Sequence, residues 1–411
     1  MNQLVKNMIS LSSLNFVSYL IPLITLPFLV QSLGIEHFGG VMFAQSLCVY
    51  FMILTDFGFN LSANRLVSIN RENRDKLDSI YSETIYAKLI LLIISFLIFS
   101  IILNFGSLID DTQNDHRLFY YSFLLVVGNA FTPIWVYQGL EKVNFLVVST
   151  VVSKTIVMFC LFYFIQSSDD FYHVPLIFGM GSLILAVILN VHIAHKFKIK
   201  FVKVELLGIF SCMKLSSQYF ASRIANEGLM NSVTFIVGLK FGAVVLGYYS
   251  LAEKLYRAFY SILGPVNQAL YPFMAKTKDV FRYIKISSIT LIAGFLGSVL
   301  CIIIAPYLYN ILFPEVSAES VEIFQILCLA TFFGVPNALV GFPLLGALGY
   351  VKYANYSLLY GSFIAFCFLI SAWFLNLPFK YFAVTIIVYE FCSLTIRLFY
   401  VGKLKVLRYE K

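Results

Sequence analysis

Of 411 residues, 60% are hydrophobic and only 12% are charged, whereas a water-soluble chain runs at about 45–50% apolar and about 25% charged. So few charges cannot cover the surface of a soluble globule, which excludes the two or three soluble domains that length alone would suggest and makes lipid the solvent. The formal charge of +8 is not a nucleic-acid signature, because its lysines and arginines gather in particular loops.

In chain order, the amino end carries Lys6 and then an apolar run over 8–33. That run is longer than the core of a signal peptide and has no small-x-small site after it, so it is expected to stay as a helix. A membrane span needs roughly 20 apolar residues. Windows of that length predict twelve spans, at 8–33, 40–62, 83–105, 118–140, 145–166, 175–195, 216–238, 247–275, 286–313, 323–345, 355–376 and 381–402. Pro306 is a candidate kink in the ninth. The seven cysteines are scattered without a CxxC pair, as expected of small apolar side chains rather than disulfides or metal ligands.

Lys and Arg set the orientation. With the amino end in the cytoplasm, twenty of them fall on inside segments, in clusters around Arg65–Lys76, Lys196–Lys214, Lys276–Lys285 and Lys403–Lys411, against Arg117, Lys240 and Lys380 outside. Both termini are therefore expected to be cytoplasmic. The link over 196–215 alternates basic and apolar residues (Lys196-Phe197-Lys198-Ile199-Lys200-Phe201), a pattern suited to a segment lying on the anionic inner leaflet. It also divides the chain into two halves, 1–200 and 201–411.

The halves read as repeats. A shift of 208 positions sets the Leu33–Gly39 stretch against Phe241–Gly247, with Gly34 on Gly242, Ala44 on Ala252 and Leu47 on Leu255. Gly34 and Gly242 each fall at the tight outside turn between the first two spans of a half, where a positive φ is expected. Six spans per half return the chain to its starting side, so the repeats are expected to be parallel six-helix bundles.

Ionisable groups inside a span cost roughly 2.5–3.5 kcal/mol each and normally face protein or a wet cavity. The seventh span carries Arg223 and Glu227 and the eighth carries Glu253, Lys254 and Arg257; Arg223/Glu227 and Glu253/Arg257 are each spaced i, i+4 on one helix face. Lys154 lies midway along the fifth span, Glu390 midway along the twelfth, and Asp56 about a turn from the inner end of the second. Two readings stay open: structural ion pairs that lock helices together, or a cavity that binds an anionic or polar substrate. In the second, Arg223, Arg257, Lys254 and Lys154 bind the anion, Arg being the residue whose planar fork suits phosphate. Glu227, Glu253, Glu390 and Asp56 are then candidates for coupling to an ion. For Asp56 and Arg397, near the membrane interfaces, snorkelling or helix-end roles are the expectation.

Other motifs are weaker. Asp110-Asp111-Thr112-Gln113-Asn114-Asp115 resembles a DDxxD magnesium site, but the spacing is off by one residue and no second carboxylate motif accompanies it. His192 and His195 are spaced i, i+3 without an acidic or thiol companion, which favours interfacial imidazoles over a metal site. No Walker, Rossmann or GxSxG pattern occurs, so no metal or cofactor is expected and the chain is not expected to be an enzyme.

The stretch Asp56-Phe57-Gly58-Phe59-Asn60-Leu61-Ser62-Ala63-Asn64-Arg65, the Asn/Arg-rich link that follows, Ile80-Tyr81-Ser82, the opening Lys6-Asn7, and the Pro22/Pro27 helix with its Gly34–Gly39 turn resemble Wzx-type O-antigen flippases. That family belongs to the superfamily that also holds multidrug (MATE) antiporters and lipid II flippases. Length, helix count and two-half layout resemble it over the whole chain; the motifs lie in roughly the first 90 residues. The resemblance implies a V-shaped exporter in the bacterial inner membrane. Its substrate would be an undecaprenyl-pyrophosphate-linked oligosaccharide, moved from the inner to the outer leaflet. Implied partners are membrane lipids, a polysaccharide polymerase, a chain-length regulator and a coupling ion, H+ or Na+; nucleic acid is not among them. A multidrug or metabolite antiporter and a polytopic polymerase are the alternatives; the mixed charge of the in-span groups tilts away from a cationic-drug exporter, and no large outside loop is present for a polymerase. Reporter fusions after Lys203 and Lys285 should read as cytoplasmic and one at Asp111 as external; a cytoplasmic signal at Asp111 would reverse the orientation.

Overall fold

The computed structural model describes residues 3–105, 116–314, 316 and 318–404. The acidic run 110–115 and the basic residues Lys405, Arg408 and Lys411 lie outside the described residues. The described chain is helical, without a strand: α1 Gln3–Asp56, α2 Phe59–Ile69, α3 Arg74–Phe105, α4 His116–Phe131, α5 Ile134–Gly139, α6 Asn144–Phe164, α7 His173–His192, α8 Leu206–Arg223, α9 Leu229–Ser261, α10 Gly264–Thr277, α11 Val280–Leu312, α12 Ala318–Leu339, α13 Val351–Phe374 and α14 Lys380–Lys403.

Ten continuous runs among the described residues are long and apolar enough to cross a membrane. Eight overlap the predicted windows one for one. The other two, Ile21–Ile69 and Asn231–Thr277, hold 49 and 47 residues, about 70 Å at 1.5 Å per residue against a hydrocarbon core of about 30 Å. Each is long enough to cross twice, and its long helix leaves helical geometry inside: α1 at Gly34 (φ 75°, ψ 164°) and α9 at Gly242 (φ 80°, ψ −177°). These are the two glycines placed at equivalent turns by the 208-residue shift. No atom lies within 4 Å of where a Cβ would stand on either. The backbone alone demands glycine there. At Pro306, by contrast, α11 runs on as one helix.

The chain divides into two compact units, Met1–Ile21 with Phe28–Asn231, and Pro22–Pro27 with Ser232–Lys411. In the first, α4 packs on α7, α6 on α7, α2 on α5, and α8 on both α2 and α3. In the second, α14 packs on α12 and α13, and α11 on α12. Each unit has a core at the equivalent level. Val136, Tyr137 and Ile193 are buried in the first, and Leu344, Leu345 and Val401 in the second; the pairs stand 208 positions apart.

Each unit also contains a broken span at matching positions. In the first, α4 and α5 are separated at Thr132-Pro133, where proline cannot donate to the carbonyl four residues back. In the second, α12 passes into a π-helical segment, Val340–Gly346, with a non-helical Gly341 (ψ −117°) and Pro343. Side chains satisfy the freed carbonyls: Asn190 Nδ2 donates to the Phe131 carbonyl at 2.9 Å in the first unit, and Arg397 Nη1 donates to the Asn337 carbonyl in the second. Arg397 is thus 3% exposed, which corrects the expectation that it snorkels. The break in α12 supplies an internal acceptor more accessible to it than the interface.

The basic link after the sixth span is not a free surface segment. Beyond Lys198, which is left-handed at φ 55°, Lys200 N donates to Asp78 Oδ1 and Val202 N to Ser82 Oγ, both at 2.8 Å. This ties the link along α3. Ile199 is buried while Lys198, Lys200 and Lys203 stay exposed, so the basic side chains remain on the outer side of the link.

Gly34→Ala and Gly242→Ala should each destabilise the protein by about 1–3 kcal/mol, the cost of holding an L-residue in a region that is essentially glycine-only. Thermal unfolding of the detergent-solubilised protein reads this directly. Gly402→Ala, in α14 with open space around its Cβ position, is the control and should be neutral or slightly stabilising.

Candidate functional site

The charged groups read from the sequence resolve into two clusters, one isolated lysine, and Glu390 in a separate arrangement with Asn337 and Arg397. The first cluster is built on a break in the second span. α1 ends at Asp56, and Phe57 (φ 44°) and Gly58 (φ 85°) turn the chain before α2 begins. α8 lies against this turn. A Cβ on Gly58 would stand 2.7 Å from the Ser216 carbonyl, Ser62 Oγ and Ser216 Oγ are 2.6 Å apart, and Phe57 stacks on Phe220 with ring centroids 4.5 Å apart. Only glycine permits both that φ and that approach. The helix end puts its unpaired carbonyls and the Asp56 carboxylate at one place, an arrangement that attracts cations.

Two cations answer. Arg223 Nη1, at the end of α8, donates to Asp56 Oδ2, and Lys88 Nζ, on α3, reaches Asp56 Oδ1 at 3.5 Å. Arg223 Nε also donates to Glu227 Oε2 at 3.3 Å. The i, i+4 pairing read from the sequence is present. However, Ile224–Gly228 is π-helical rather than α-helical, and such bulges are frequent at functional sites. Two acids and two bases leave the cluster formally neutral. It is graded in exposure: the Asp56 and Lys88 side chains are 1% exposed, Arg223 is 23% and Glu227 is 45%. Asp56 is thus the buried hub of the cluster: of the two roles expected near the interface, it stands at a helix end and does not snorkel. Lys88 escaped the sequence reading altogether. Its signal was a lone lysine inside the apolar run 83–105, hidden by the strength of that run.

In the second unit Glu253 and Arg257 pair as expected, with Arg257 Nη2 and Nε donating to Glu253 Oε1 at 2.6 and 2.9 Å. Thr234, on the other arm of α9 across the Gly242 turn, donates to Glu253 Oε2 at 2.8 Å. The Glu253 side chain is 12% exposed and Arg257 40%. Lys254, next on the same helix, has no hydrogen bond or salt bridge among the described residues. Lys154, on α6, joins neither cluster and likewise has none.

Glu390 on α14 accepts from Asn337 Nδ2 at 2.6 Å. The Asn337 backbone carbonyl accepts from Arg397, whose Nε donates to Ser357 Oγ at 2.8 Å. Glu390 and Arg397 are thus bridged through one asparagine at the start of the α12 break. His192 and His195 form no metal pair: His192 stacks on Phe145 (3.7 Å between centroids) with Nδ1 3.0 Å from the Tyr137 hydroxyl. Among the described residues no group of three His, Cys, Asp or Glu could hold a metal ion.

These contacts separate the roles of Asp56 and Glu227. Asp56→Asn removes the shared counter-ion of two cations, one fully buried, and should cost about 3–5 kcal/mol and deplete folded protein from the membrane. Glu227→Gln leaves Arg223 its bond to Asp56, so the protein should accumulate near the normal level. Immunoblots of membranes and thermal unfolding of both variants check this. Equal depletion by the two would contradict the assignment of Asp56 as hub.

Comparison with known proteins places the chain. The model of a family described as "Polysaccharide biosynthesis protein" matches residues 4–278. A candidate O-antigen transporter of Escherichia coli K12 is 29% identical over 273 residues, 66% of this chain; the matched stretch spans 65% of that relative's own length. A candidate O-antigen transporter of Shigella flexneri is 24% identical over 365 residues, covering 82% of this chain and 84% of the relative. Among solved structures, an inward-facing multidrug resistance MATE family transporter of the MOP superfamily superposes with a TM-score of 0.72 over 97% of this chain and 94% of its own, at 12% identity. At that identity the likeness is one of fold. The family match covers well over half the sequence, and the chain belongs to the polysaccharide biosynthesis protein family.

Proposed function

We propose that the protein is a flippase of the bacterial inner membrane. In this reading it carries an undecaprenyl-pyrophosphate-linked oligosaccharide, an O-antigen or related repeat unit, from the inner to the outer leaflet by alternating access. The observation that carries the reading is a set of cations inside membrane spans, Arg223, Arg257, Lys254 and Lys154, in a chain of this family. A pyrophosphate brings two or more negative charges into a medium where an uncompensated charge is costly. Lys254 and Lys154 make no hydrogen bond or salt bridge among the described residues, which leaves their N–H donors for a ligand. Arg257 is 40% exposed and is held in place by its pair with Glu253. The names of the relatives support the substrate class.

The twelve-span topology with cytoplasmic termini, and the halves 1–200 and 201–411 as parallel bundles, belong to the same proposal. So does coupling to H+ or Na+. Glu227, the most exposed acid of its cluster at 45%, is the first candidate to exchange an ion; Glu253, Glu390 and Asp56 follow. Asp56 and Glu390 are held by hydrogen bonds that an exchanging ion would have to displace. A polymerase and a chain-length regulator acting on the exported unit would be the partners.

The charge requirement tests the reading. In a strain whose own flippase gene is deleted, Arg257→Ala and Lys254→Ala should abolish surface polysaccharide at normal membrane abundance. Arg257→Lys should retain part of it, because the charge survives while the bidentate fork does not. Normal export by both alanine variants would rule out a cationic pyrophosphate site here.

A further inference from the structure

A groove of about 460 Å³ opens on the second unit between α11, α12 and α14, away from the charged clusters. Lys380, the first residue of α14, and Glu322, in the opening turns of α12, stand at its mouth with Nζ and Oε2 3.5 Å apart. Its floor is Ile302, Ile326, Leu329 and Val384. Ile326 and Val384 lie one turn deeper than the two charges on the same helices, and Leu329 lies two turns deeper, about 10 Å at 1.5 Å per residue. Of the two other polar lining residues, Gln325 already gives its amide to the Ile302 carbonyl at 3.0 Å, and Tyr381 stands beside Lys380 in the first turn of α14. The groove is therefore charged at the helix ends and apolar below, the polarity of a membrane lipid standing in its leaflet. Its volume is within the range of small-molecule sites, about 300–1,000 Å³.

The charges at the mouth select among lipids. A loose pair whose side chains are 46% and 56% exposed contributes little as a salt bridge. A purely anionic headgroup would meet Lys380 but be repelled by Glu322 beside it. A headgroup with a phosphate and a primary ammonium satisfies both, phosphate on Lys380 and ammonium on Glu322. A quaternary ammonium offers the carboxylate no N–H donor. We propose that this groove is a binding site for a phospholipid with a phosphoethanolamine headgroup, held by Lys380 and Glu322 with an acyl chain along Ile302, Ile326, Leu329 and Val384.

The purified full-length protein, stripped of lipid and titrated separately with phosphatidylethanolamine, phosphatidylglycerol, phosphatidylcholine and a polyprenyl phosphate, tests this by native mass spectrometry. Phosphatidylethanolamine should be retained most tightly. Glu322→Gln should cut its preference over phosphatidylglycerol about fivefold, the scale of one exposed charge pair. Lys380→Ala should weaken both phospholipids, and the exchange of both residues, Lys380→Glu with Glu322→Lys, should restore part of the preference. Equal retention of phosphatidylglycerol, tighter retention of the polyprenyl phosphate, or an unchanged preference in Glu322→Gln would overturn the assignment. Both side chains are exposed, so the variants should fold, and a melting temperature within a few degrees of the parent verifies it. The assay reads binding without transport, so its outcome is independent of the flippase reading.

Discussion

In lipid every backbone N–H and C=O must find a partner within the protein, since no water is present to take its place. The described chain meets that demand with helices and then breaks some of them. The breaks are where its polar side chains are spent. Asn190 reaches the carbonyl of Phe131 above the Pro133 interruption, and Tyr81 fixes the asparagine by donating to its Oδ1 at 2.6 Å. In the second unit Arg397 serves the carbonyl of Asn337 and Tyr283 that of Leu339. The donors differ in chemistry but come from spans matched by the 208-residue shift, the sixth and twelfth predicted spans, each with a tyrosine of the helix that holds the third or ninth. The repeat is thus conserved as an obligation to seal the backbone more than as a sequence.

The charged clusters follow the same logic. Asp56 sits where a helix stops, so that its carboxylate and the helix end act together on Lys88 and Arg223. Arg223 in turn ends α8 just before a π-helical stretch. Exposure rises from Asp56 and Lys88 through Arg223 to Glu227, so the buried end of the cluster joins three helices while the acid at its other end is half exposed.

Hydrophobic period and loop charge made the helical architecture legible, and the glycine spacing made the turns at Gly34 and Gly242 legible, because those are properties of short stretches of chain. The i, i+4 pairs Arg223–Glu227 and Glu253–Arg257 were legible for the same reason. What escaped were contacts between distant positions: Asp56 with Arg223, Thr234 with Glu253, Asn337 with Glu390 and Arg397. Lys88 was overlooked because a window average over so apolar a run absorbs one charge. The interruption at Pro133 was written in the sequence as a proline within a span. Arg397 was misplaced because its acceptor exists only once α12 has opened at Gly341.

Asp56 and Lys88 lie on the second and third spans, consecutive segments made before Arg223. As ribosome and translocon deliver the chain, these two segments can leave together as a hairpin whose opposite charges already meet, so neither must enter lipid bare. Arg223 emerges only after three more spans have been synthesised, and finds a carboxylate waiting whose remaining oxygen is free to take it. The order of synthesis thus matches the order in which the charges can be neutralised.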